Sequence, residues 1–380
     1  GVALVSIAWG RPAAAREAVC RTSPRPRPVL ALAALVFLGG ALLFAAYEWR
    51  AVRKRGRLAP PSQGLAVAAG AAETRALSDL AARHRARLVW SSNRHGNHDI
   101  LLMEWPSRDI RRLTRDPHAE TYPRLSPDGR RVLFARSQVA WVSQRNSALW
   151  DAWIVDLDTG VERRVATNAF FASWTDGGRS IVFQRDRDRE VVRRSLIDGQ
   201  ERVLLRTGRA PIAEGVSLQT PDTRSATGAT AITLRGARRV TGWVGADGVF
   251  MPVGDGSTCQ LTWATDDSLL YVGQGGRMRN IIFRHSLKTQ ASTALLDLPG
   301  DFSHEYFPRL SADGRLLVFG ASDGGHEHDT ADYEIFAWEV GTPPGAAVRI
   351  TFHTGNDCWP DIWVEGEPDT PRPDAGRGQP

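Results

Sequence analysis

Lysine is almost missing from this chain, in which Lys54 and Lys288 are the only lysines among 48 basic residues. Cysteine is nearly as scarce, with three in 380 residues, Cys20, Cys259 and Cys358. So few cysteines, with no C-x-x-C spacing, exclude a disulfide framework. We therefore expect Cys259 and Cys358 to be free buried thiols unless the fold brings them together, and no metal ion or other cofactor is predicted.

A net positive charge is also missing from residues 61–380, although the formal net charge of the chain is +6. Residues 1–60 carry ten basic and two acidic residues, whereas the remaining residues carry 38 basic and 40 acidic ones. The excess therefore belongs to the N-terminal segment. The folded part is not predicted to bind nucleic acid, because it lacks a net basic charge.

Long uncharged runs are rare, and the longest is VLALAALVFLGGALLFAAY at residues 29–47. A helix of this length spans about 28 Å, close to the ~30 Å hydrocarbon core of a bilayer. We predict a single transmembrane helix here, after a basic flank at residues 1–28. A buried core helix is the alternative, but the flanks RTSPRPRP and EWRAVRKRGR disfavour it. Since both flanks are basic, the orientation stays open.

Residues 48–86 are predicted to be a Pro/Gly/Ala-rich linker with a short helix near its end. The stretch ETRALSDLAARHRAR at residues 73–87 places Leu77, Leu80 and Ala81 on one helical face. The C-terminal residues 366–380 are polar and rich in proline, so we predict a disordered tail there.

A sequence typical of a β-hairpin occurs twice in the chain, as ETYPRLSPDGRRVLFARS at residues 120–137 and EYFPRLSADGRLLVFGAS at 305–322. Each copy has two apolar runs around a tight turn, where Pro presets φ and Gly accepts positive φ. Weaker copies begin near residues 170, 216 and 258. The aligned turn positions are 44 to 49 residues apart, at Asp128, Gly177, Asp222, Asp266 and Asp313.

A period of 40–50 residues in an all-β pattern is typical of propeller blades. A sixth copy, DCWPDIWV at residues 357–364, supplies one strand before the chain turns polar. The runs RLVWSSN, HDILLMEW and IRRLT, at the other end of the domain, supply the three strands that this copy lacks. The sequence therefore predicts a six-bladed all-β propeller at residues 87–365, closed by one C-terminal and three N-terminal strands.

The segments YPRLSPDGRRVLFARS, FPRLSADGRLLVFGAS and SNRHGNHDILLMEW resemble the repeat of the TolB-type propeller family. The resemblance covers about 280 residues, is strong in the first and fifth copies and poor in the third and fourth. It implies the propeller half of TolB without its N-terminal domain, so the role of TolB in the Tol–Pal system is not carried over. Prolyl-oligopeptidase-like peptidases have similar propellers, but the blades leave no length here for a hydrolase domain.

Three acids recur three residues before the strand prolines, Glu120, Glu305 and Asp357, and three histidines, His118, His304 and His353, lie close to them in sequence. In a propeller, this position lies at one mouth of the central channel. Such a ring could bind a metal ion or a cationic peptide group, or serve acid–base catalysis. Alternatively, each acid caps a loop and accepts hydrogen bonds from backbone amides between blades. We predict these six residues as a ligand-binding set, with no catalytic residue and no metal ligand assigned.

A second group of polar side chains lies in SDGGHEHDTADYE at residues 322–334. Neighbouring residues on a flexible loop seldom all face one ion, so we predict a solvated loop.

The leading functional interpretation is a membrane-anchored, non-catalytic scaffold that binds a protein or peptide partner at a channel mouth. We expect a bacterial, single-pass membrane protein with its propeller in the periplasm. The alternative is a propeller enzyme of the lyase or glycan-hydrolase type that uses the channel-mouth carboxylates and histidines. A degenerate homologue with relaxed third and fourth blades is a third interpretation, which the sequence does not separate from the first.

Overall fold

The computed structural model describes residues 36–46, 64–236, 241–254, 258–264, 268–276, 280–323, 325 and 327–366. The predicted disordered tail lies outside the described residues except for residue 366, and Cys20 and Asp266 lie outside them as well. Cys259 and Cys358 are free, as predicted.

Helix α1, residues 36–46, is the described part of the predicted membrane span, and its apolar side chains are exposed. Eleven residues of helix reach only about 16 Å, roughly half of a hydrocarbon core. No helix among the described residues is long and apolar enough to cross a membrane. The structure therefore does not support the predicted transmembrane helix, and residues 29–35 and 47 of that span lie outside the described residues.

Helix α2, Ala71–Arg83, forms where the sequence predicts it, with Leu77, Leu80 and Ala81 as its buried residues. These side chains pack into the apolar cluster between the last two blades. At the end of the helix, Arg83 and His84 both contact the carboxylate of Glu339, at 2.8 and 2.9 Å. Helix α2 is thus attached to the propeller body and differs in this respect from a free linker.

Within the described residues, 24 strands form six antiparallel sheets of four strands each. In chain order they are β1 Ala86–Ser92, β2 Asp99–Glu104, β3 Asp109–Arg112, β4 Glu120–Leu125, β5 Arg131–Ser137, β6 Trp150–Asp156, β7 Glu162–Ala166, β8 Phe170–Thr175, β9 Ser180–Arg185, β10 Glu190–Ser195, β11 Glu201–Arg206, β12 Val216–Thr223, β13 Thr230–Gly236, β14 Thr241–Val244, β15 Phe250–Val253, β16 Cys259–Trp263, β17 Ser268–Gly273, β18 Ile281–Ser286, β19 Ser292–Leu296, β20 His304–Leu310, β21 Leu316–Ser322, β22 Tyr333–Glu339, β23 Val348–Arg349 and β24 Asp357–Val364.

The prediction of six blades and of their closure is confirmed. Blades 1 to 5 are β4–β7, β8–β11, β12–β15, β16–β19 and β20–β23, and blade 6 has the strand order β24-β1-β2-β3. Ala86 pairs with Val364 and Ser92 with Asp357, so the C-terminal strand completes the sheet that the N-terminal strands begin. Because the ring closes through backbone hydrogen bonds, the array has no unpaired first or last blade.

Apolar clusters lie between the blades, one at each junction within the described residues. Phe134 lies in the cluster between blades 6 and 1, and Phe183 in the one between blades 1 and 2, each almost fully buried. Burial of such a side chain stabilises the fold by about 1.5–3 kcal/mol. A seventh, largely aromatic cluster fills the centre of the ring.

One predicted turn is misplaced. The sequence alignment puts Asp222 in the first turn of blade 3, but Asp222 lies within β12 and pairs with Ala231. The turn follows at residues 224–229, where the Arg224 amide donates to the Ala229 carbonyl at 2.9 Å and Gly228 has a φ of +69°. This turn is longer than the Ser-Pro-Asp-Gly turn of blade 1, so alignment on the Thr-Pro-Asp letters shifts the register.

Candidate functional site

Each inner strand bends at one residue with left-handed backbone, and these residues surround the channel axis. The strand pairing skips at this point in all six blades. The left-handed residues, with φ between +47° and +57°, are Tyr122, Phe171, Thr220, Gln260, Phe307 and Trp359. Left-handed backbone is costly for non-glycine residues, so the surrounding packing has to hold it in place. The bulge thus gives six equivalent positions around the channel, one in each blade.

The three predicted carboxylates lie two residues before the left-handed residue of their strands, so their positions in the three blades are equivalent. Glu120, Glu305 and Asp357 are each 0% exposed. The prediction that the three acids occupy equivalent positions in their repeats is therefore confirmed. Each carboxylate has a different partner, however, so the three differ in what they hold together.

Glu120 forms an ion pair with Arg136 of the neighbouring strand β5. The Arg136 Nε–H donates to Glu120 Oε1 at 2.6 Å, and the same guanidinium also binds Glu162 and approaches Asp116 at 3.5 Å. Burial raises the pKa of Glu120 to about 8, while Arg136 acts in the opposite direction. This carboxylate therefore joins an inner strand to an outer strand of blade 1.

Glu305 differs from Glu120 in that its carboxylate binds a backbone amide. Its Oε1 accepts a hydrogen bond of 2.5 Å from the amide of Leu298, which lies on the connection from blade 4 to blade 5. Burial raises the pKa of Glu305 to about 8. This geometry matches the alternative in which the repeated acid holds the connection between two blades.

Asp357 binds Arg94, whose Nη2 lies 2.7 Å from Asp357 Oδ2. His353 Nδ1 lies 3.8 Å from the other carboxylate oxygen. Arg94 is on the β1–β2 connection, so this pair joins the C-terminal strand to the N-terminal part of blade 6. It therefore strengthens the closure of the ring.

The three histidines lie at three different blade junctions. His118 Nδ1 is 2.6 Å from Asp116 Oδ1, and His304 Nε2 is 3.0 Å from Asn280 Nδ2. His353 is buried next to residues 64–66, where Ala66 forms a bridge with it, and burial lowers its pKa while Asp357 acts in the opposite direction. Among the described residues, no group of three His, Cys, Asp or Glu side chains is arranged to hold a metal ion.

Two loops cover the channel at the face where the inner strands begin, and we call this surface the roof. They are residues 138–149 of blade 1 and 323–332 of blade 5, of which 324 and 326 lie outside the described residues. Asp329 joins them, because its Oδ1 accepts a hydrogen bond of 2.9 Å from the Gln144 amide and its Oδ2 accepts one from the Ser143 hydroxyl. The segment predicted as a solvated loop is therefore partly buried and structural at Asp329, and His326 lies outside the described residues.

Gln144 connects the roof to the aromatic residues below it. Its Oε1 accepts a hydrogen bond from the indole N–H of Trp359, and its Nε2 donates to the carbonyl of His328 at 3.3 Å. The Trp359 ring lies 4.2 Å from Phe307 and 4.9 Å from Tyr122, between ring centroids. The roof and this aromatic layer together close one end of the channel.

Charged side chains close the channel further along its axis. These side chains come two residues after the left-handed positions, and they are Arg124, Asp222, Arg309 and Asp361. Arg309 lies 3.3 Å from Asp222 and 3.6 Å from Asp361. Arg124 stacks on Tyr122, with its Cζ 3.7 Å from the ring centroid. A cavity of only about 20 Å³ remains between the two layers.

Sequence reasoning missed both the roof and this charged layer. The roof contacts join residues about 185 positions apart, for which the sequence gives no local pattern. The charged layer did have a signal, because Arg follows the strand proline at 124 and 309 whereas Asp follows it at 222 and 361. The Thr-Pro-Asp letters at residues 220–222 resemble a turn, and this resemblance conceals the alternation.

A nucleophile-elbow pattern, G-x-S-x-G, occurs at residues 320–324 as GASDG. Such an elbow requires a strand, a sharp turn and a helix. Here Ser322 ends strand β21, is buried, and donates its hydroxyl to the Gly325 carbonyl, and the next element is strand β22. The pattern therefore does not form an elbow.

No model of a known protein family matches the sequence, and no curated protein does. Among solved structures, TolB from Acinetobacter baumannii is similar with a TM-score of 0.52 at 12% identity, over 73% of this chain and 66% of that chain. The chain thus spans slightly less than two thirds of that protein. A putative TolB from Agrobacterium tumefaciens has a TM-score of 0.50 at 13% identity, over 74% and 98% of the two chains. At these identities the similarity concerns the fold, which is a TolB-type six-bladed propeller.

Proposed function

We propose that this propeller is a non-catalytic scaffold that binds a protein partner through the roof at the channel mouth. The observation that carries the proposal is the exposure of two apolar side chains on the roof, Val139 and Leu149, which are 46% and 42% exposed. The Gln138 amide donates to the Leu149 carbonyl at 2.7 Å, which keeps the two ends of the loop together. Apolar side chains that are exposed on loops at a propeller face are available for contact with a partner.

Several polar contacts hold the roof in place. The Asp329 contacts join its two loops, and the Trp150 indole of blade 1 donates to the Asn146 carbonyl at 2.7 Å. A preorganised loop loses less conformational entropy on binding than a mobile one. Recognition by loops on a rigid propeller therefore fits the geometry of this face.

The six residues predicted as a ligand set have a supporting role in this proposal. Glu120, Glu305 and Asp357 are buried and engaged by an arginine or a backbone amide. An enzyme of the lyase or glycan-hydrolase type would need carboxylates that reach a substrate. Their burial therefore disfavours direct acid–base catalysis by these three carboxylates.

Membrane attachment and a periplasmic location are further parts of the proposal. They rest on the uncharged run at residues 29–47 alone. Protease protection of the propeller in intact cells, compared with opened spheroplasts, tests this part.

The experiment for the roof uses the full chain with a photo-crosslinking amino acid at Val139, expressed in its native membranes. The matched control carries the same amino acid at Val161, which is also exposed and lies on the turn between β6 and β7 of the same blade. We expect a discrete crosslinked partner from position 139 that disappears in the Leu149→Asp variant. Equal crosslinking from both positions, or none from position 139, would contradict the proposal.

A further inference from the structure

The turn side of the ring, opposite the roof, has a large cleft between blades 2 and 3. Its volume is about 770 Å³, and it is bounded by strand β11 on one side and by residues 223–230 and 244–248 on the other. Binding sites for small molecules and peptide segments commonly have volumes of about 300–1,000 Å³. The cleft is therefore large enough for several residues of a partner.

We propose that this cleft binds an acidic, extended segment of a protein partner. Five arginines line it, Arg193, Arg202, Arg206, Arg209 and Arg224, against one acid, Asp176. This local charge contrasts with the slightly negative balance of the chain after residue 60. Carboxylates are the groups that arginine binds most strongly in proteins, through charge-assisted and often bidentate hydrogen bonds.

Two of the five arginines are already neutralised within the fold. Arg193 donates to Asp176 at 2.7 Å, and Arg206 is paired with Glu190 of the neighbouring strand. Arg202 and Arg209 are exposed and make no side-chain hydrogen bond or ion pair in the part of the chain that the structure describes. These two guanidinium groups are therefore the ones that a partner's carboxylates would bind.

Apolar surface beside the arginines favours a peptide over other polyanions. Val203 and Leu204 of β11 line the cleft together with Pro211, and Val203 is 39% exposed. An acidic peptide can place leucine-type side chains against these residues while its carboxylates bind the arginines. A carboxylated sugar or a nucleic-acid backbone has no apolar groups that would use this wall.

The cleft is independent of the roof, because the strand ends that border it are at the other end of each blade. Failure of the roof proposal would thus leave this site untouched, and the reverse holds as well. The two experiments also use different probes and different variants.

The test uses fluorescence anisotropy with the full chain and a labelled octapeptide, Glu-Asp-Leu-Glu-Asp-Leu-Glu-Asp. A second peptide, with Gln and Asn in place of the acids, tests the charge. The protein variants are R202E/R209E and, as a milder form, R202Q/R209Q. The matched control is R163E, since Arg163 is the second residue of the exposed outer strand β7 just as Arg202 is of β11. The thermal unfolding of each variant is measured to establish that it is folded.

We expect the acidic peptide to bind the wild-type chain, and R202E/R209E to weaken binding by about tenfold or more, with a smaller loss in R202Q/R209Q. R163E should change the affinity by less than about twofold, and added salt should weaken binding, because exposed charges are screened. Absence of binding by the wild-type chain, or equal binding of the neutral peptide, would overturn the proposal. So would equal or tighter binding of a galacturonate oligomer or a DNA duplex, or an unchanged affinity in folded R202E/R209E.

Discussion

The carboxylate of Asp329 in blade 5 accepts a 2.9 Å hydrogen bond from the backbone amide of Gln144 in blade 1, across the mouth of the channel. This contact joins two loops that belong to non-adjacent blades. The side-chain oxygen of Gln144 in turn accepts a hydrogen bond from the indole N–H of Trp359, so a single residue links the roof to the aromatic layer. The closed state of this channel mouth therefore depends on a small number of polar contacts.

Asp329→Ala should open the roof. The substitution removes the acceptor for both the Ser143 hydroxyl and the Gln144 amide, and each buried donor left without a partner costs about 1–3 kcal/mol. We expect faster amide hydrogen exchange at residues 138–149 and a lower free energy of unfolding. Glu327→Ala is the control, because its ion pair with Arg145 is exposed and contributes at most about 1 kcal/mol. Equal exchange in both variants would show that the Asp329 contacts do not hold the roof.

Glu305→Gln should change how stability depends on pH. Burial raises the pKa of this carboxyl to about 8 from a usual value of 4.5, so between these values the folded state binds more protons than the unfolded state. The free energy of unfolding of the wild-type chain should therefore fall as the pH rises through this window.

Glutamine does not titrate and keeps an oxygen for the Leu298 amide. The stability of the variant relative to the wild type should rise from about pH 5 to about pH 8, by at most about 1.4 kcal/mol per pH unit. Denaturant unfolding at several pH values measures this, with Glu214→Gln as a control whose side chain is 72% exposed. A constant difference between Glu305→Gln and the wild type across the range would rule out the raised pKa.

Arg309→Ala should destabilise the centre of the ring strongly. The guanidinium lies between Asp222 and Asp361, and its loss leaves these carboxylates without their nearest cation in a cavity too small for a hydrated ion. Breaking a buried ion pair typically costs about 3–5 kcal/mol. In the same blade, Arg315→Ala removes a cation that is 79% exposed and should cost less than about 1 kcal/mol. Similar denaturation midpoints for the two variants would argue against a structural role for the charged layer.

Gly129→Ala should be more destabilising than Gly160→Ala. Both glycines have left-handed backbone, with φ of +68° and +70°, so the conformational cost of adding a Cβ is similar, about 1–2 kcal/mol. At position 129, however, the new Cβ would lie 2.5 Å from the Trp363 ring, whereas no atom lies within 4 Å at position 160. The difference between the two melting temperatures isolates the effect of the contact between blades 1 and 6, and equal values would show that Trp363 moves aside without cost.

Much of the fold was predictable because the propeller repeats a local pattern. Apolar alternation and Asp-Gly turns identified the hairpins, and their period gave the number of blades. The run DCWPDIWV supplies one strand without partners in its own repeat, and the three strands that open the domain supply those partners. Together they predicted the closure. The first turn of blade 3 was predicted at the wrong residues. The true turn is longer and has no Asp-Gly pair, whereas a Pro-Asp pair inside β12 resembles the turn sequence of the other blades.

The sequence by itself determined the blade count, the strand order and the equivalence of Glu120, Glu305 and Asp357. These features follow from side-chain period and spacing, which are local properties. Only the tertiary structure decided what those acids contact. It also decided that Asp222 pairs with Arg309 in the channel and that Asp329 accepts a hydrogen bond from the Gln144 amide across the roof. Such contacts join residues that are distant in sequence, and burial between blades, rather than residue type, determines whether a carboxylate faces a ligand or an arginine.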